Sequence, residues 1–231
     1  MRLRAAPDFP MGERELEYRM IAADGRVVWF SDLVHAPGGE PARSRRLHGV
    51  MVEITESKLA TGAARAFGEI GRLHARLFDG QMVSQRIAES VRRLFGARVA
   101  VLSRRQPGLG GAAVVAQATS QLAPAELHEL LSPDTGLSGI ALREGRTAFS
   151  PDVRADPRVG SPPGVDGSIG GGQSCALLAV PLAVRGVVLG VLAIGDIVGR
   201  TFDLREIRLA EAFADYAAIT LTSTRAGAAS F

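Results

Sequence analysis

His128 stands beside Glu129 in the run His128-Glu129-Leu130-Leu131-Ser132-Pro133. An exposed imidazole with a neighbouring carboxylate can take a phosphoryl group. Gly136 and Gly139 follow closely, too soon for a long helix around that histidine. A short surface helix is the plainer reading. Cys175 is the only cysteine, so no intrachain disulfide and no all-cysteine zinc site can form. At the mouth of an apolar run it reads as a small buried hydrophobe. Gly170-Gly171-Gly172 offers backbone N–H groups to a phosphate, but lacks the lysine and the strand-to-helix setting of a phosphate loop. His35, His48, His74 and His128 are scattered without metal-ligand spacing, and no serine pairs with a histidine and a carboxylate at legible spacing. No metal, no cofactor and no catalytic residue are expected.

The elements that would position these groups follow from periodicity. Residues 13–57 read as three strands. In the first, Leu16, Tyr18 and Met20 alternate with polar neighbours up to an Asp24-Gly25 turn; Val27–Ala36 follows. Arg46–Ile54 places His48, Val50, Val52 and Ile54 on one face. A meander of this size cannot bury both its faces alone. Residues 56–79 read as a helix whose Leu59, Ala63, Ala66, Ile70, Leu73 and Leu77 share a heptad seam. Gly62, Gly68 and Gly71 weaken it, so it needs a partner, either its own domain or a second copy.

Met82–Phe95 is amphipathic. Val99–Leu102, Ala112–Gln117 and Thr147–Phe149 read as strands, Pro124–Leu131 and Leu137–Glu144 as helices. Ser150–Ser174, rich in Gly and Pro, is a lid, a binding loop or an excursion. The apolar stretch Cys175–Ile194 is long enough to span a bilayer. Pro181 and the Arg185-Gly186 pair at its centre argue instead for two buried strands joined by a two-residue turn. Asp203 and Glu206 open a last helix as a capping pair. One of its seams is Ile207, Ala210, Ala214, Ala217 and Leu221; the other is Leu209, Phe213 and Tyr216.

With 46% hydrophobic and 22% charged residues, the balance is that of an ordinary globular protein. The net charge is only +3, and the pI of 9.7 reflects arginine, Lys58 being the sole lysine. No basic arm points to nucleic acid. The opening MRLRAAPDFPMGERELE lacks the apolar core of a signal peptide, so a cytoplasmic protein with no membrane partner is expected.

Two resemblances emerge from the motifs. EYRMIAADGRVVW (17–29), with Glu17, Arg19, Asp24-Gly25 and Trp29, resembles the second half of a PAS domain, and Glu53-Ile54-Thr55 resembles its closing signature. The first strands and the helical flank that cradle a PAS ligand have no counterpart in these residues, so no heme or flavin pocket is expected there unless the chain is a fragment. Residues 80–225 resemble a GAF domain through three stretches: TGLSGIALREGRTAFSPDV (135–153) with Asp156-Pro157-Arg158, LLAVPLAVRGVVLGVLAIG (177–195), and Thr201-Phe202-Asp203. That resemblance implies an α+β fold with a six-stranded antiparallel sheet flanked by helices, and usually a sensory module. The implied organisation is a disordered 1–12, a partial PAS domain at 13–57, a linker helix at 58–79, a GAF domain at 80–225 and a tail at 226–231.

Several branches of these families differ from the chain at their key residues. The histidine-kinase box is mimicked by His128-Glu129, but the partner ATP-binding domain needs an asparagine and the sequence has none. Bilin-binding GAF domains have histidine after the cysteine, where Ala176 stands. The methionine sulfoxide reductase branch uses several cysteines. The cyclic-nucleotide signature keeps Phe202, has Glu206 in place of Asp and Ile207 in place of Glu, and lacks its Asn.

The expected function is a non-enzymatic sensory module that binds a small ligand or partner. Its output domain or kinase would act in trans, and the terminal helices would form a weak homodimer. The alternatives are a redox enzyme of the methionine sulfoxide reductase type and a fragment of a sensor histidine kinase. Val101, Ile140, Phe149, Asp152 and Leu178 are expected near the ligand, where a strand, the Gly-Leu-Ser-Gly helix and the loop base converge. For the four apolar ones, plain core is an equal reading.

Overall fold

Every strand found among the described residues belongs to one of two antiparallel sheets. The computed structural model describes residues 12–36, 48–77, 79–106, 112–119, 136–159 and 175–228. The chain divides into two compact units between Ala60 and Thr61.

In the first unit, β1 (Gly12–Ile21), β2 (Val27–Ala36) and β3 (His48–Glu53) pair in the order β1-β2-β3. Asp24 makes the connecting turn by accepting from the Arg26 backbone N–H and guanidinium. Leu16, Tyr18 and Met20 lie opposite Asp32, Phe30 and Val28, which sets the apolar face by strand alternation. Asp32 is buried on that face because the Tyr18 hydroxyl donates to its Oδ2 at 2.9 Å. The other face leaves Val50 and Val52 exposed. The Trp29 N–H donates to Thr55 Oγ1 at 2.9 Å, at the start of helix α1 (Thr55–Leu77).

The second unit continues α1 from Thr61 and adds α2 (Gly80–Phe95), β4 (Val99–Arg105), β5 (Ala112–Thr119), α3 (Leu137–Glu144), β6 (Ala148–Ser150), β7 (Cys175–Val184), β8 (Val187–Ile197) and α4 (Leu204–Ala228). Asp79 caps α2 by accepting from the Gln81 and Met82 N–H groups, and Gly96 closes it in the left-handed region at φ 58°. Asp203 Oδ1 accepts from the Arg205 and Glu206 N–H groups while Glu206 Oε2 accepts from Asp203 N–H, a complete capping box. Arg185 (φ 50°) and Gly186 (φ 81°) form the two-residue β7–β8 turn. The apolar stretch is therefore a hairpin, and no helix among the described residues is long and apolar enough to cross a membrane.

The sheet order is β5-β4-β8-β7-β6, which corrects the expected six strands to five among the described residues. Only five runs carry strand periodicity; the sixth came from the resemblance alone. One face of the sheet presents Ala100, Leu102, Leu178, Val180, Leu182, Leu192 and Ile194 to a core shared with α1, α2 and α4. The other presents Leu177, Ala179, Val191 and Ala193 to α3. Burial on both faces explains the continuous apolar runs of β7 and β8. Within this unit α1 finds its partners: Phe67 stacks on Phe213 with centroids 4.4 Å apart, His74 meets Tyr216 edge-on, and Ala66 and Ile70 enter the core. Both α4 seams are likewise used within the chain's own core.

Candidate functional site

The five residues expected near a ligand are divided by the sheet. Val101 pairs with Ala193, whose side chain belongs to the α3 side, and Ile140 of α3 packs on that same side. Leu178 belongs to the opposite core, and its partner Phe149 also packs there, edge-on to Phe202 at 5.6 Å. Val101 and Ile140 thus lie on one side of the sheet and Phe149 and Leu178 on the other, because successive strand residues face opposite ways. Asp152 follows β6 and forms a turn, its Oδ1 accepting from Arg154 N–H (3.1 Å) and Ala155 N–H (3.3 Å).

What the structure gathers on the α3 side is Val101, Ile140, the turn after β6 and Cys175. The Val153 N–H donates to the Cys175 carbonyl, which ties that turn to the first residue of β7. Asp156 accepts from the Arg158 guanidinium and N–H, while Arg158 also donates to the Phe149 carbonyl at 2.6 Å. The Arg158 hydrogen bonds hold the Asp156 carboxyl well below the usual carboxylate range. Burial, with Asp152 and Asp196 adding charge repulsion, pushes the Cys175 thiol up to about 12. Such a thiol is a poor nucleophile. Helix α3 opens on Gly136 without a side-chain cap, and its fully buried Ser138 hydroxyl has no hydrogen-bond partner. An unused buried hydroxyl beside an uncapped helix start can orient a polar group.

A second cluster was missed by sequence reasoning. Arg200, 1% exposed, pairs with Asp196, donates to Glu206 Oε1 at 2.9 Å and to the Phe95 carbonyl at 2.8 Å, and lies 4.5 Å from the Phe202 ring centroid. Burial pushes the Glu206 carboxyl up, against the pull of Arg200. The cluster joins the ends of α2 and β8 to the start of α4. His35 and His48, scattered in sequence, are direct cross-strand partners. No group of three metal-ligating side chains occurs among the described residues. His128, the glycine triplet 170–172, the expected helix 124–131 and positions 160–174 lie outside them.

An antiparallel sheet with three helices on one face and one short helix on the other defines an α+β domain. Residues 81–222 match the family model described as GAF domain, and the chain belongs to that family. Among solved structures, the chain is similar to the GAF domain of a phosphoenolpyruvate-protein phosphotransferase from Coxiella burnetii (TM-score 0.60, 17% identity, 74% of this chain and 98% of that one). It is also similar to a free methionine-R-sulfoxide reductase from Neisseria meningitidis in complex with its substrate (0.56, 15%, 71% and 91%). A third is a methyl-accepting chemotaxis protein, residues 122 to 287 (0.51, 16%, 68% and 97%). At these identities the likeness establishes the fold. A comparison with curated proteins returns no match.

Proposed function

We propose that the chain is a non-enzymatic sensory or regulatory module of cytoplasmic signal transduction. Its GAF unit takes a small ligand or partner on the α3 side of the sheet and relays it through α1 and α4. The carrying observation is the shared core: α1 and α4 stack through Phe67 and Phe213 on the opposite face of the sheet that α3 covers. A change in the sheet therefore reaches both helices. Val101 and Ile140 are the apolar contacts in this reading, with Ser138 orienting a polar group; Phe149 and Leu178 act as core. The first unit, with its Asp24-Gly25 turn and three-stranded meander, is the closing part of a PAS-like domain, and the output domain or kinase acts in trans. Signalling proteins among the structural neighbours support this reading, as does the chemotaxis protein in particular.

Native mass spectrometry of the purified chain should detect a co-purifying small molecule that is lost in Ile140→Arg. The competing reductase reading draws on the Neisseria neighbour. It predicts reduction of free methionine sulfoxide that disappears in Cys175→Ser. Such turnover overturns our proposal, as does rapid labelling of Cys175 by a thiol reagent. We expect labelling at pH 8 to be more than about a hundredfold slower than in the urea-unfolded chain, because only the thiolate reacts.

For assembly we propose a weak homodimer along the outward faces of α1 and α4. Ile70 is fully buried in the chain's own core, so the exposed Ile219 is the residue to change. Light scattering that shows a monomer at every concentration, or an Ile219→Asp variant that dimerises unchanged, rejects that arrangement.

A further inference from the structure

Among the described residues, the sheet of the second unit ends in two edge strands, β5 and β6. Exposed edges pair with other chains unless they are short, charged or interrupted by proline. β6 is three residues long and so is blunted by length. β5 is neither short nor charged and holds no proline, and only a bulge at Val115 interrupts it: it reads Ala-Ala-Val-Val-Ala-Gln-Ala-Thr over eight residues, and Val114 is 51% exposed.

What it has instead is α2. Gln81 Nε2 donates to the Val115 carbonyl at 2.7 Å, and Gln85 Nε2 donates to the Gln117 carbonyl at 2.9 Å. Four residues along a helix rise about 6 Å, and two along a strand advance about 6.8 Å, so the two spacings match. The register of β5 on β4 slips by one residue at Val115, and the carbonyls of this bulged residue and of Gln117 both accept from α2. The glutamine amides thus donate where the N–H groups of a neighbouring strand would donate.

We propose that Gln81 and Gln85 are a strand surrogate, an autoinhibitory contact that keeps β5 from pairing antiparallel with β5 of a second copy of this chain. A second copy is the occupant that the strand itself favours. Two-fold pairing sets one sequence against itself, and an uncharged strand brings no like charges into opposition. The contact sits on the first two turns of α2, so displacement of that end from β5 frees two acceptors at once.

Gln81→Met with Gln85→Met keeps side-chain length and helix propensity while deleting both donors. In sedimentation velocity over a concentration series, this variant should self-associate about tenfold more tightly than the unmodified chain, a shift of one decade in Kd. Amide exchange over 112–119 should slow as it does so. Adding Gln117→Pro removes an edge N–H that pairing requires and should return association to that of the unmodified chain. A folded double variant with unchanged association overturns the proposal, and so does association that survives Gln117→Pro. If the double variant does not melt cooperatively, each single variant should show part of the increase, and no increase in either overturns the proposal.

Discussion

Arg200 holds its charge away from water by dividing it between Asp196 and Glu206, with the Phe95 carbonyl and the Phe202 ring completing its surroundings. Removing one member of such a group strands the others. Arg200→Leu leaves two buried carboxylates facing each other and should cost about 3–5 kcal/mol in urea unfolding, as broken buried pairs do. A loss below about 1 kcal/mol would mean that the cluster is hydrated and of little consequence. Asp156 makes a different prediction. Its carboxyl is held below its ordinary value of 3.8, so the stability it adds is present above that value and is lost as pH falls through the lower folded one. The acid limb of the melting temperature against pH should therefore flatten in Asp156→Asn, which begins lower at neutral pH. An unchanged limb would show that Arg158 does not hold the loop.

At the scale of elements, glycine separates two kinds of position. A Cβ at Gly190 of β8 would run into the Ser103 carbonyl of β4, a backbone atom that cannot turn aside. Gly190→Ala should destabilise by about 3 kcal/mol or more. Gly68 of α1 meets only the end of the Arg72 side chain, at 3.6 Å, so Gly68→Ala should instead stabilise by about 0.5–1 kcal/mol. Thermal melts that move both variants the same way would contradict this account.

Elements whose cause is local were legible in the sequence: the Arg185-Gly186 hairpin, the Asp203–Glu206 cap and the alternation in β1. The α1 seam was legible as a seam, but whether a second copy or the chain's own α4 fills it depends on tertiary packing that periodicity does not carry. The site was less legible. Choosing Phe149 and Leu178 alongside Val101 and Ile140 required knowing which face each strand presents, a matter of register. Arg200 was not legible because, although Asp196 lies four residues before it and Glu206 six after, its burial depends on the Phe95 carbonyl, which comes from the far end of α2.

Within the second unit, the sheet separates the side that α3 covers from the side that carries α1, α2 and α4. The β7–β8 turn has a consequence in time as well as in space. β4 must find β8 across an intervening stretch that includes β5, α3, β6 and β7, whereas β7 finds β8 through a turn of two residues. Loop-closure entropy favours the short search, so this hairpin is the natural nucleus on which β4 later docks. Arg185 holds φ 50° there without being glycine, a conformation that asparagine adopts more readily. Arg185→Asn should raise the refolding arm of the chevron by about threefold, for a gain of ~0.6 kcal/mol expressed almost wholly in folding, and leave the unfolding arm in place. An unmoved refolding arm with slower unfolding would put the nucleus elsewhere. If the hairpin does fold first, a single turn at the surface sets how long the edge of β8 waits, open, for its neighbour.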